Sequence, residues 1–230
     1  LPDDKLVIVE KRGRYKTFPA LLPASVRTLG EFSLIRLGDV SRVAGFDSQL
    51  ILLEPKDTLR YGRHLWAEIN SGLILKARTV NERNETIEQF VFTQLQINVP
   101  INKEALKPRF AAESTAWRIH NAQASQSLSA GGGWLFKARL PGFKKSAGMK
   151  RQASQGGTVE TTHFIFTDGL SSISLFIEPL ADRKAEQATY SVGAINVYKR
   201  ATDNHLLTVL GEVPMASLMR LGDGMELKRK

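Results

Sequence analysis

The chain has 230 residues, 42% of them hydrophobic and 24% charged, with a formal net charge of +9 and no cysteine. That length allows one large domain or two small ones, and the missing thiols exclude disulfides, cysteine-bound zinc and thiol catalysis. The longest apolar runs, such as the one around Ile51, hold about five residues, far short of the roughly 20 a membrane-crossing helix needs.

No signal peptide is recognisable at Leu1. The opening LPDDKLVIVEKRGRYK reads as a strand pair and as the trimmed end of a longer protein. FPALLPASVRTLGEF (18–32) holds a short helix between Pro-bearing turns. FSLIRLGDV and SQLILLEP alternate apolar and polar residues, as half-buried strands do, and Pro55 ends the second because it cannot donate to a ladder. Tyr61–Ile69 and Leu73–Val80 form a hairpin around Asn70-Ser71-Gly72. After the polar stretch 81–86, Ile87–Val99 is a third long strand. The whole is an antiparallel meander.

From 107 to 132 the chain turns rich in Ala, Ser and Gln and reads as a linker with some helical turns. Beyond it lies a second strand-rich part. Trp134–Leu140 is a strand and Pro141-Gly142 a turn. Asp168-Gly169 marks a two-residue hairpin. Thr189–Val197 and Leu206–Leu210 add strands. VPMASLMRLG is a short helix with Pro214 at its first position and Gly222 just past its end, burying Met215, Leu218 and either Met219 or Leu221.

Catalytic signatures do not emerge from this pattern. His64, His120, His163 and His205 are too dispersed to give a local metal-ligand spacing. The Gly131–Gly133 run lacks phosphate-loop spacing, and Asp168 reads as a turn residue. The sequence therefore points to no enzyme, cofactor or metal. Charge is more informative. No acidic residue occurs between Glu113 and Glu160, a window holding Arg118, Lys137, Arg139, Lys144, Lys145, Lys150 and Arg151. A solvated basic face and an anion-attracting patch both fit this run. Nucleic acid is disfavoured, since no RNA-binding aromatic motif, helix-turn-helix or zinc finger accompanies it. Phe90 and Phe92 share a face of one strand by alternation, and Trp66 lies on a neighbouring ribbon. These aromatics form either a core or an open groove for an acyl chain.

An ordered set of motifs resembles the RseB/MucB family of periplasmic stress regulators. FPALLP (18–23), RVAGF (42–46), PKDTLRYGRHLWAEINSGLILKA (55–77), EQFVFTQLQI (88–97), LPGF (140–143), FTDGLSSISLFIEP (166–179) and GEVP (211–214) follow the family's order. The resemblance implies a strand-dominated α+β protein of two domains. Residues 1–106 would be part of a LolA/LolB-like unclosed antiparallel β-barrel, 107–132 a linker, and 133–225 a smaller α+β domain with an antiparallel sheet. It also implies a periplasmic protein whose C-terminal domain binds the periplasmic part of the anti-sigma factor RseA or MucA. Bound there, it would shield the anti-sigma factor from the site-1 protease DegS until lipopolysaccharide or lipoprotein signals release it. Family members carry further residues before the FPALL region, so the first domain reads as incomplete. Strand edges left open by that would favour self-association into a homo-oligomer.

Two functions follow for testing. In the regulator reading, Lys137, Arg139, Phe143, Lys144, Lys145, Lys150 and Arg151 meet the partner. In the alternative, a LolA-like carrier, Trp66, Phe90 and Phe92 line the acyl-ligand groove. The ribbon 55–77 is then scaffold, with Arg60, Arg63 and Lys76 at its rim.

Overall fold

The computed structural model describes residues 6–9, 27–106, 118–121, 126–127, 133–152, 160–180 and 187–228. In chain order they form β1 (Leu6–Val9), α1 (Arg27–Phe32), β2 (Ser33–Val43), β3 (Phe46–Pro55), β4 (Gly62–Glu68), β5 (Ile74–Val80) and β6 (Thr86–Val91). A short 3-10 turn at Lys103–Leu106 precedes β7 (Arg118–Asn121), β8 (Gln126–Ser127), β9 (Trp134–Phe136), β10 (Lys144–Gln152), β11 (Glu160–Thr167) and β12 (Ser172–Pro179). The last elements are β13 (Ala188–Val192), β14 (Ile195–Thr202), β15 (His205–Gly211), α2 (Met215–Asp223) and β16 (Met225–Leu227). The protein is a strand-dominated α+β structure.

The chain divides into two compact units, Leu1–Tyr15 with Gln94–Ala124, and Lys16–Thr93 with Ser125–Lys230. In the first, β1 pairs in parallel with β7. Of the strand pair expected at the opening, the first strand is β1, whose partner is Arg118–Asn121 inside the stretch read as linker; the second half of the expected pair lies outside the described residues. The helix expected within 18–32 is found at its end, as α1; residues 18–26 lie outside the described part.

The second unit holds two large antiparallel sheets. One is the open meander β2-β3-β4-β5-β6. Its first hairpin turns on Ala44 and Gly45, both with positive φ, the geometry of a two-residue turn that matches strand twist. The strand expected over 87–99 stops at Val91. Asn98, at φ +58, and Pro100 bar a ladder only at the far end of the expected strand.

The other sheet runs β13-β14-β15-β12-β11-β10-β8. Phe164, Phe166, Ile173, Leu175, Ile177, Leu207, Val209 and Tyr198 share one face and bury it against Leu218 and Leu221 of α2, with Trp134 and Met225 closing the core. Pro214 is the N-cap of α2, with ψ 143, rather than its first residue. Gly222 is inside the helix, and its missing side chain lets α2 sit against β14, since a Cβ there would lie 2.9 Å from the Tyr198 ring. Met219 points outward at 37% exposure, which leaves Leu221 as the buried member of the pair.

Three other expectations change. The turn at Asp168-Gly169 is a four-residue loop, since Thr167 pairs with Ser172. The Asp168 Oδ1 atom accepts from the Leu170 and Ser171 amides at 2.9 and 2.8 Å and holds the longer loop. The expected strand 189–197 is a hairpin, β13 and β14, around Gly193 at φ +60. The strand over 134–140 ends at Phe136, and β10 lies in a Lys- and Gly-bearing stretch where propensity did not predict it. Pairing with β11 supplies what local preference lacks.

Candidate functional site

The stretch PKDTLRYGR, from the last residue of β3 into the first two of β4, fastens the meander to the second sheet. Asp57 begins it by accepting the Leu59 amide at 3.0 Å, a local turn that aims Leu59 and Arg60 inward. The Leu59 side chain enters the core of the second sheet, and its carbonyl accepts the buried Ser217 hydroxyl of α2 at 2.8 Å. Arg60 was expected at a rim but is 6% exposed. Its guanidinium donates to Asp57 at 3.1 and 3.0 Å, to Asp168 at 2.9 Å and to the Pro141 carbonyl at 2.6 Å. The Phe32 and Phe143 rings lie 4.7 and 5.2 Å from its central carbon. Gly142, at φ +84, lets the loop pass, because a Cβ would sit 2.8 Å from Phe32.

Tyr61 accepts from the Asn196 amide at 2.8 Å, and the same nitrogen donates to the Val213 carbonyl. Burial raises the Tyr61 pKa. Arg63 is also buried, against expectation. It donates to Thr79 and, at 3.0 Å, to Glu212. Leu59, Arg60, Tyr61 and Arg63 therefore grip α2, the β11–β12 loop, β14 and the β15–α2 loop in turn. Ionic and hydrogen-bonded pairing makes burial of two arginines affordable; a lone buried charge would be driven out.

Past this junction, alternation carries β4 to a different environment. Trp66 pairs with Lys76 across the ladder. The Lys76 ammonium is 4.3 Å from the indole centroid and the Arg78 guanidinium carbon 5.3 Å. The His64 ring meets Trp66 edge-on at 6.4 Å. Arg78 donates to Gln89 at 2.6 Å, and no carboxylate pairs with Lys76 or Arg78 among the described residues. Burial lowers the pKa of Lys76, and Arg78 lowers it further; the same two causes, in that order, lower that of His64. Two cations stacked on an aromatic floor with no counter-charge form a surface suited to an anion.

The acyl groove expected from Trp66, Phe90 and Phe92 is not assembled. Phe90 pairs with Ala77, whereas Trp66 pairs with Lys76. Neighbouring positions on β5 point to opposite faces, so Phe90 lies across the sheet from Trp66. Phe90 is 46% exposed, and Phe92 follows the end of β6.

The hairpin end of β4 is held by Glu68. Its carboxylate accepts from the Asn70 and Ser71 amides, the Asn70 side chain and the Ser71 hydroxyl at 2.6 to 3.1 Å. These bonds hold its pKa down to about 2.

The basic stretch is dispersed. Lys137 pairs with Glu226 at 2.5 Å. Arg139 and Lys144 are exposed. Phe143 is spent under Arg60. Lys145 pairs with Phe166 and Lys150 with Thr162, which places them on the core-side face. Lys144 pairs with Thr167 on the other. The Lys145 amine lies 5.5 Å from the Phe164 centroid. The Arg151 side chain lies outside the described part. Of the histidines, His163 stacks on Phe176 at 4.1 Å and His205 meets Trp134 edge-on at 5.2 Å; the His120 side chain is not described. Among the described residues no cluster of metal-ligating side chains occurs, and no helix is long and apolar enough to cross a membrane.

Comparison with known proteins adds relatives to this geometry. The MucB/RseB N-terminal domain model matches residues 1–110, and the MucB/RseB C-terminal domain model matches 129–226. The sigma factor AlgU regulatory protein MucB of Pseudomonas aeruginosa is 31% identical over 191 residues, 81% of this chain and 58% of that protein. The sigma-E factor regulatory protein RseB of Haemophilus influenzae is 22% identical, over 88% of this chain and 62% of its own. The chain thus spans about six-tenths of the length of these relatives. A crystal structure of MucB in complex with MucA(peri) superposes with TM-score 0.74 at 27% identity, covering 90% of this chain and 72% of that one. The P. aeruginosa MucA/MucB complex gives 0.73 at 26%, covering 90% and 69%.

Proposed function

Because the chain belongs to the MucB/RseB family, we propose that it is a negative regulator of an envelope-stress sigma factor. It binds the periplasmic domain of a MucA- or RseA-type anti-sigma factor, works in the periplasm and shields its partner from the first proteolytic cut. The observation that carries this reading is the likeness, over 90% of the chain, to MucB captured with MucA(peri). In this reading residues 1–106 are the sensing domain, 107–132 the link and 133–225 the domain that meets the partner. Arg139 and Lys144, both exposed, are the cations offered to it. Lipopolysaccharide or mislocalised lipoprotein releases the partner.

The Trp66 face favours a second, lipid-directed part of the function. Its two cations, which no carboxylate among the described residues pairs, suit a phosphorylated headgroup better than an acyl chain. In the alternative reading the chain is a carrier of acylated ligands and partner binding is secondary.

Calorimetric titration with MucA(peri), with and without lipopolysaccharide, tests the reading. Tight binding that lipopolysaccharide weakens, with slowed cleavage of the partner, is expected. No binding, together with stoichiometric uptake of an acylated ligand, would replace the regulator by the carrier.

A further inference from the structure

An open sheet edge ends the seven-stranded sheet at β13. Edge strands normally carry devices that prevent foreign pairing, such as charges, proline, bulges or extreme shortness. The other edges of the two large sheets have them among the described residues. β2 carries Arg36, Asp39 and Arg42 and a register break between Leu37 and Val40. β6 carries Glu88, and β8 has two residues. β13 has none of these. No charged side chain occurs from Gln187 to Tyr198 in a chain that is 24% charged.

The edge is also accessible. Val192 is 67% exposed, and Tyr190 and Ile195 are 46% and 40% exposed. All three share one face, because Tyr190 pairs with Val197 and Val192 with Ile195. Val192 and Ile195 bracket a two-residue turn and so form a hydrogen-bonded pair. Alternation then makes Ser191 and Asn196 a non-bonded pair, and their side chains touch, Ser191 Oγ donating to Asn196 Oδ1 at 2.5 Å. The backbone N–H and C=O of Thr189 and Ser191 consequently point away from β14, into the open edge.

We propose that β13 is a docking edge to which an extended segment of the protein partner adds as a further strand. The segment alternates apolar residues, which pack on Tyr190, Val192 and Ile195, with a carboxylate that meets Lys199. The Lys199 amine lies on the same face, 5.8 Å from the Tyr190 centroid. Backbone pairing supplies affinity and the alternate side chains supply selectivity. A net charge of +9 repels a second copy and attracts an acidic segment, and a lipid has no backbone to satisfy the edge. The inference rests on the partner reading above and gives it a binding mode.

MucA(peri) is the probe, titrated against the full chain and its Val192→Lys and Thr189→Pro variants, with amide exchange followed at Thr189 and Ser191. Both changes leave the β13–β14 hydrogen bonds in place, and unchanged melting curves establish that they fold. Each is expected to weaken binding about tenfold or more, and binding is expected to slow exchange at the two outward amides. Unchanged affinity in both variants, with no new protection, overturns the docking edge and leaves the regulator reading standing. No binding by the unaltered chain overturns both. Self-association that Val192→Lys abolishes assigns the edge to a second copy and overturns the choice of occupant.

Discussion

Arg60 and Trp66 lie six positions apart and live in opposite electrostatic worlds. At Arg60 each guanidinium nitrogen has a partner. Two carboxylates and a carbonyl take the guanidinium, and two rings cover its faces. At Trp66 two cations share one ring, and no carboxylate among the described residues pairs with either. Satisfied charge holds parts together, and unsatisfied charge asks for a ligand. Within six residues the chain thus passes from a buried fastening ahead of β4 to a face of that strand where two cations share one ring.

The sharpest way to break this contrast is Arg60→Ala. It strands Asp168, which is 7% exposed, and should cost about 3–5 kcal/mol, the usual penalty for opening a buried ion pair. A fall in the urea midpoint reads it; an unchanged midpoint would mean the junction is not what secures the meander. Gly142→Ala should cost about 1–3 kcal/mol, since it forces a Cβ against Phe32 at a left-handed backbone position.

Glu68→Gln probes the far end of β4. The folded carboxylate titrates at about 2, below its ordinary value of 4.5. A depressed acid contributes stability above its unfolded pKa and loses it as pH falls through the folded one. The variant should therefore melt lower than the parent at pH 7, and the gap should close between pH 4.5 and 2. A gap independent of pH would assign the loss to packing rather than charge.

The smallest effect on stability is expected from Lys76→Gln with Arg78→Gln, within about 0.5 kcal/mol. The same pair should abolish binding to anionic vesicles while neutral vesicles remain unbound by either protein. A large loss of stability would show that these cations are scaffold, and would erase the distinction from Arg60.

Much of this organisation was legible in the residues. Alternation located the meander strands, and Pro214 and Gly222 located the last helix, though it starts one residue later and ends at Asp223, past the Gly222 stop. The register also turned one legible pattern against its first meaning. Phe90 and Trp66 are both aromatic and both on strands, yet a one-position offset across β5 sends them to opposite faces. No local pattern encodes which residue of one strand lies opposite which of the next. The pattern around Gly193 was missed for a related reason. Apolar residues continue on both sides of the turn, so a hairpin and a single long strand look alike.

The sequence by itself determined the fold class, the family and the absence of thiol chemistry, because these depend on periodicity, ordered motifs and composition. Tertiary structure alone decided that Arg60 and Arg63 are buried fasteners, that the basic stretch is divided between faces, and that β13 is left open. Charge is written in the sequence, but its partners are chosen by strands distant in the chain. Asp168 lies 108 residues from Arg60 and Glu212 lies 149 from Arg63, and only the packing of two sheets brings them within hydrogen-bonding reach.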